Sequence, residues 1–424
     1  MKNSIKLNKQ ILILIVLFTS LQSCKKSVDF IAFNGNIYTV NSDFNTASAF
    51  AVNDGKFVDI GNEEILSKYN TKQKIDLNGS TVLPGLIDAH CHFYGLGLNQ
   101  SMIDLTGTNS FNEILEKISN KDNNIIRGRG WDQNDWKIKE FPNKEKLDLI
   151  YPNTPVILER IDGHAYLVNQ KALDIAGIDI NTKSTNGTLL SKKGKLTGVL
   201  IDGPMSLIDN SFGEISLDNK IKALVSAQEI CFKNGLTTVD DAGLSKDIIM
   251  LIDSLQKKEL LKMRVYAMIS NSENDVNYFI ENGPIKTNSL NVRSVKVYGD
   301  GALGSRGATL KNPYSDDIHN YGKLVTSYKD IKDLANKLAE ANFQMNTHAI
   351  GDSTINLLID TYSKVLETKT DPRWRIEHSQ IIDINDIKGY NNKILPSVQP
   401  THATSDMYWA EERVGSKRIK GAYA

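Results

Sequence analysis

The rhythm of apolar and polar positions changes twice along the chain. Between residues 30 and 60, short alternating runs are broken by Asn34-Gly35 and Asn53-Asp54-Gly55. Runs at 30–33 and 37–40 predict one β-hairpin, and runs at 49–52 and 57–60 predict a second. At 81–87 a continuous apolar run predicts a short buried strand. Past Ser216, apolar runs alternate with helical periodicity, the pattern of a parallel α/β sheet. Strands are predicted at 236–239, 263–269, 292–298, 343–346, 373–376 and 394–398. Helices are predicted at 217–234, 246–257, 331–341 and 354–366. Between about 95 and 216 lies a long excursion with strand-like runs of its own. An insertion of this length after a sheet strand is a place for substrate contacts. No internal repeat or low-complexity tract interrupts the chain.

The polar residues that punctuate these runs sit at their ends. Run 81–87 leads into Asp88-Ala89-His90-Cys91-His92. In a strand, residues i and i+2 share a face, so His90 and His92 are expected to point together and Cys91 away. Two imidazoles on one face make a pair of metal ligands. Later runs end at Asp240-Asp241, His348 and His378. Lys296 lies inside Val295-Lys296-Val297-Tyr298, where an unpaired ammonium is costly. A depressed pKa relieves that cost, as does pairing with Asp241 or Asp300, and both options stay open. Glu377 falls on the face opposite His378 and reads as a structural partner. His319 and His402 read as ordinary loop histidines.

The first 23 residues read as a leader rather than as fold. Lys2, Lys6 and Lys9 precede an apolar stretch at 11–18, followed by Leu21-Gln22-Ser23-Cys24. That is the layout of a secretory signal, too short for a membrane span. Leu-x-Ser-Cys resembles a bacterial lipobox, which implies acylation at Cys24, a lipid-anchored enzyme on a membrane of the bacterial cell envelope, and an extracytoplasmic location. Cys91 and Cys231 then remain, and no disulfide framework is expected. The 424 residues suffice for one large domain and one small one. Fifty basic residues balance fifty acidic ones, so no global field and no basic stripe points to nucleic acid.

Several strings together resemble the amidohydrolase superfamily. Leu83-Pro84-Gly85-Leu86-Ile87-Asp88-Ala89-His90-Cys91-His92 is similar to its metal-binding signature. Gly128-Arg129-Gly130-Trp131-Asp132, Asp162-Gly163-His164 and the 194–200 run resemble elements of its YtcJ-like branch, which includes N-substituted formamide deformylase. His348 stands in a string similar to H-x-x-G-D, and His378 in one similar to R-I-E-H. The resemblance implies a TIM-type (β/α)8 barrel at 81–424 with an insertion at about 95–216. Residues 24–80 would then be the N-terminal part of a composite β-sandwich. It implies a metal centre of one or two zinc ions on His90, His92, Lys296, His348 and His378, with Lys296 as a carbamate. It places His164 at a small-molecule substrate. Trp131 reads equally as an apolar wall of the substrate site or as core. Asp300 and Arg306, in a glycine-rich stretch after the fourth barrel strand, read equally as substrate contacts or as a local ion pair. The family's eighth strand ends in a catalytic aspartate, and here that strand is expected beyond residue 424, the barrel reading as truncated. No catalytic residue is therefore assigned within the chain.

The function expected from this resemblance is metal-dependent hydrolysis of non-peptide carbon–nitrogen bonds, of amide or formamide type. Hydrolysis of esters, lactones or cyclic imides at the same site is an alternative. A catalytically inactive, lipid-anchored binding protein is another, and oligomeric state is left open.

Overall fold

In the computed structural model, residues 25–183, 187–213 and 215–421 are described. They fall into two compact units, one ending at Gly85 and the other beginning at Leu86. The leader and Cys24 lie outside the described residues. No helix among the described residues is long and apolar enough to cross a membrane.

The first unit carries two small sheets. Four strands run in the order Lys56–Gly61, Ala49–Asn53, Phe30–Phe33, Gln73–Asp76. Ala49–Asn53 and Lys56–Gly61 form the second predicted hairpin, with Asn53 opposite Lys56. Asp54 and Gly55 both take positive φ there, as a tight two-residue turn requires. The first predicted hairpin does not form. Asn36–Tyr38 instead pairs with Thr46–Ala47 and Thr81–Val82 in a separate three-stranded sheet. The reason is that strand 30–33 is covered on both faces. Ile31 packs with Val28, Ala49, Ala51 and Ile65, while Ala32 packs with Ile37 and Phe50. Folding straight back at Asn34-Gly35 would not bring Ile37 to that second cluster.

The second unit is built on seven parallel strands that follow one another in chain order. They are β1 (Leu86–Cys91), β2 (Leu236–Leu244), β3 (Arg264–Ser270), β4 (Leu290–Tyr298), β5 (Gln344–Ala349), β6 (Trp374–His378) and β7 (Ile394–Ser397). Helices Leu217–Lys233, Lys246–Lys257, Glu273–Asn282, Tyr328–Glu340 and Asp352–Val365 connect or flank them. Ser216, Ser272 and Ser327 cap three of these helices by accepting a backbone N–H in the first turn, which satisfies a donor the helix leaves orphaned. Val239, Val265, Ala267, Val292, Val297, Met345 and Ile376 of the strands share one core with Ile249, Ile252, Phe279, Leu338 and Leu358 of the helices. The sheet curls enough that β1 and β6 touch across its interior, His90 Nδ1 lying 2.5 Å from Glu377 Oε2. This is an α/β, TIM-like architecture.

Two expectations are corrected here. The first barrel strand is not 81–87. Thr81–Val82 belongs to the small sheet of the first unit, and β1 begins only after Pro84-Gly85, so His90 is in the strand and His92 just past it. Nor is β1 buried. Leu86 and Ile87 are 52% and 65% exposed, because among the described residues β1 hydrogen-bonds only to β2. The helix Glu273–Asn282 escapes a reading by pattern, since only Val276 and Phe279 of its ten residues are buried.

The excursion after β1 is a folded layer rather than a loop. Its six strands run in the order Gly187–Lys192, Lys195–Asp202, Ala165–Val168, Val156–Arg160, Ile126–Trp131, Ile103–Asp104. Apolar clusters of its own lie on both faces.

Candidate active site

The C-terminal ends of the barrel strands bring four histidines together. His90 lies on β1 and His92 just beyond it, His348 on β5 and His378 on β6. Ring centroids stand 5.9 Å apart for His90 and His92, 4.6 Å for His90 and His378, and 4.6 Å for His348 and His378. His378 follows Glu377 directly, and strand geometry would turn the two in opposite directions. Both nevertheless reach the site, because His378 and Ser379 take φ of 72° and 45°. Non-glycine residues seldom adopt such angles, and where they do the strain clusters at functional sites.

Lys296 on β4 is 1% exposed. Its Nζ stands 5.0 Å from the Tyr298 ring centre, and among the described residues no hydrogen bond or ion pair reaches it. Burial holds its pKa down to about 8, with Glu377 and Asp241 opposing the drop. Asp241, itself pushed up to about 7 by burial, accepts the Tyr94 backbone N–H at 3.0 Å. That bond secures the helix that starts directly after His92.

The inserted layer reaches into the same space. The His164 ring is 5.5 Å from that of His348. Its Nδ1 lies 2.7 Å from Asp202 Oδ1. Burial works against the charged form of His164, but Asp202 and Asp162 together raise its pKa. Arg160, 2% exposed, is clamped between Asp132 and Asp162, and Asp162 accepts the His164 backbone N–H at 3.1 Å. A cavity of about 1320 Å³ is lined by His92, Lys296, His348, His378, His164 and His402, with Met102, Met205 and Trp409 among its apolar wall. Cys91, expected to face away, also lines this cavity, which wraps past the tip of β1. His402, expected to be an ordinary loop residue, is a second correction. A single-turn helix after β7 carries its ring to 6.1 Å from that of His378. The one signal in the sequence was its distance of five residues past the end of a barrel strand.

The electrostatics favour neutral imidazoles. Burial, then neighbouring positive charge, lowers His92 to about 3, and burial above all lowers His90, His348 and His378. Glu377 is fully buried, yet His90 and Arg375 hold it down to about 2 against the effect of burial. In the His90–Glu377 contact the ring donates Nδ1–H to the carboxylate at 2.5 Å. His90 Nε2 is left buried with no partner. An orphaned lone pair of this kind is costly in a native interior. Neutral imidazoles with free lone pairs are the form that ligates metal, so this donor set fits a divalent cation. As the side chains stand, no three His, Cys, Asp or Glu donors among the described residues meet at one coordination point. The rings pack edge to face instead, so the His92, His348 and His378 rings must turn to share an ion with His90 Nε2.

Three residues expected at the substrate lie elsewhere. Trp131 is fully buried in the core of the inserted layer and donates its indole N–H to the Leu158 carbonyl at 2.9 Å. Strand alternation would have put it on the cavity side with Arg127 and Arg129. A register shift at Gly130, whose φ is 114°, turns it to the other face, as a β-bulge does. Arg306 faces Asp316, at 2.8 and 3.2 Å, and not the cavity. Asp300 is a backbone clamp. It is fully buried, accepts N–H bonds from Thr309, Ile350 and Gly351 at 2.9, 2.9 and 3.0 Å, and is pushed up to about 6 by burial. Asp300→Ala would leave three donors unpaired at about 1–3 kcal/mol each. A loss of at least about 3 kcal/mol in urea unfolding is expected, with Asp300→Asn recovering part. A variant within error of wild type would return Asp300 to the list of substrate contacts.

The chain as a whole is similar to known proteins. A family model described as "Amidohydrolase family" matches residues 73–424. The YtcJ protein of Bacillus subtilis (strain 168) is 30% identical over 408 residues, covering 92% of this chain and 76% of its own. N-substituted formamide deformylase of Arthrobacter pascens is 25% identical, covering 84% of this chain and 69% of its own. The crystal structure of an uncharacterized metal-dependent hydrolase from Pyrococcus horikoshii superposes with a TM-score of 0.74 at 27% identity, covering 93% of this chain and 79% of that one.

Proposed function

The chain belongs to the amidohydrolase family, and from that premise we propose that it hydrolyses non-peptide carbon–nitrogen bonds of amide or formamide type at a centre formed by His90, His92, Lys296, His348 and His378. It is a metal-dependent hydrolase with a TIM-like fold. The observation that carries the proposal is the meeting of His90, His348 and His378, with neighbouring rings 4.6 Å apart, although the residues lie far apart in the chain.

Zinc, as one or two ions, is the metal we assign, since imidazole ligands suit it. Held by these residues, such an ion would supply a water of lowered pKa and a Lewis acid for the substrate carbonyl. The buried amine of Lys296 is suited to a carbamate, which would give the centre an anionic ligand. His164 donates Nδ1–H to Asp202, which leaves Nε2 for the substrate. With its raised pKa, His164 serves as a hydrogen-bond donor to the substrate oxygen or to the leaving nitrogen. Met102, Met205 and Trp409 give the cavity an apolar wall for the substituent on nitrogen. The name of the Arthrobacter relative favours formamides. The leader at 1–23 and acylation of Cys24, tethering the enzyme to a bacterial envelope membrane, are proposed on sequence grounds.

Dialysis against a strong chelator should abolish hydrolysis of N-substituted formamides, and zinc should restore it. Matched formate esters, lactones and cyclic imides should be poorer substrates. Unchanged turnover in the stripped protein would remove the metal mechanism, and a preference for esters would move the substrate class.

A further inference from the structure

Beneath the four histidines runs a chain of alternating charge that crosses the barrel interior. Asp240 on β2 accepts from Arg375 NH1 at 2.8 Å. Arg375 Nε donates to Glu377 Oε1 at 2.6 Å. Glu377 Oε2 accepts from His90 Nδ1 at 2.5 Å. The Tyr266 ring lies 5.6 Å from the guanidinium carbon. Arg375 and Glu377 share one face of β6, two residues apart, and that face looks inward. Among the four histidines, His90 alone is held by a carboxylate oxygen within hydrogen-bond distance. His378 uses Nδ1 on the neutral Gln399, at 2.6 Å. His348 turns Nε2 toward the Gly301 carbonyl at 3.4 Å and Asp300 at 3.8 Å.

We infer that Glu377 is a positioning residue that fixes which nitrogen of His90 faces the metal, with Arg375 and Asp240 holding Glu377 in place. The inference rests on the metal-centre reading above. A neutral imidazole has one N–H and one lone pair, and whichever nitrogen donates leaves the other to ligate. A carboxylate can only accept, so Glu377 forces the proton onto Nδ1 and leaves Nε2 bare. That Nε2 is buried without a partner. A carboxylate behind a ligating histidine also raises the basicity of the ring and fixes its orientation. Arg375 donates to the carboxylate and holds its plane, and Asp240 balances the far side of the guanidinium. The four residues come from three strands, so the orientation of His90 is set by the barrel itself and not by its own loop.

Metal-stripped full-length protein, titrated with zinc against a chelating dye, tests this directly. Glu377→Gln should bind zinc about 10- to 100-fold more weakly than wild type. In cobalt-loaded protein, its visible absorption envelope should shift as well. Because the single change leaves Arg375 with Asp240 as its remaining carboxylate, the double variant R375M/E377Q is measured too. It removes both charges of the Arg375–Glu377 pair together and leaves only the partly exposed Asp240 uncompensated, and should show the same weakened binding. A merely structural Glu377 would lower the unfolding temperature and leave affinity and spectrum unmoved. Wild-type affinity and an unshifted cobalt spectrum in the folded double variant would overturn the inference. A wild-type protein that takes up no zinc at all would instead overturn the metal-centre reading on which it stands.

Discussion

A His378→Ala variant is expected to lose about 10³-fold or more in kcat/KM, together with at least part of its bound metal, while staying folded. A metal ion contributes several kcal/mol of transition-state stabilisation, and each 1.36 kcal/mol is tenfold in rate. His378 is the ring through which the others meet, touching both His90 and His348 at 4.6 Å. It is held there by a φ of 72°, an angle that packing alone gives a histidine little reason to adopt. The ring is only partly buried and bonds to the neutral Gln399, so unfolding should shift only modestly. Wild-type turnover with wild-type metal content in His378→Ala would show that the ring is structural.

Lys296→Met separates chemistry from stability in the same molecule. The lysine is buried, its Nζ has no hydrogen bond or ion pair among the described residues, and burial depresses its pKa to about 8. Methionine fills a similar volume without an amine to desolvate, so the unfolding midpoint should hold or rise. Activity should fall by roughly 10²-fold, the size of a few kcal/mol lost from the transition state. Wild-type activity should also decline in buffer freed of bicarbonate, and the variant should be indifferent to it. Lys296→Met that unfolds early and keeps full activity per folded molecule would mark the amine as a structural cation.

Much of this arrangement is legible in the sequence because barrel strands advertise themselves. The strands read at 343–346 and 373–376 are observed, with His348 on β5 and His378 at the end of β6. The helix over 246–257 is observed with those same bounds. Legibility fails where backbone detail overrides alternation. The bulge at Gly130 sends Trp131 to the core, and the left-handed turn at His378 lets Glu377 and His378 serve one site. It fails again where the run of apolar residues crosses a unit boundary, as at 81–87, split between a small sheet and β1. Asp300 shows a third limit. A carboxylate beside glycines reads equally as a substrate contact or a local partner, and only the three N–H donors around it decide. His402 carries no periodic signal at all, since it depends on where the chain goes after β7.

Anomalous diffraction at the zinc absorption edge, from crystals grown with zinc, bears on the metal centre most directly. The expected map has one or two strong peaks within about 2.0–2.2 Å of imidazole nitrogens of His90, His92, His348 and His378, with the His92, His348 and His378 rings turned to meet His90. A clean map in zinc-loaded crystals with no peak among these four residues, or with zinc bound only elsewhere, would contradict it.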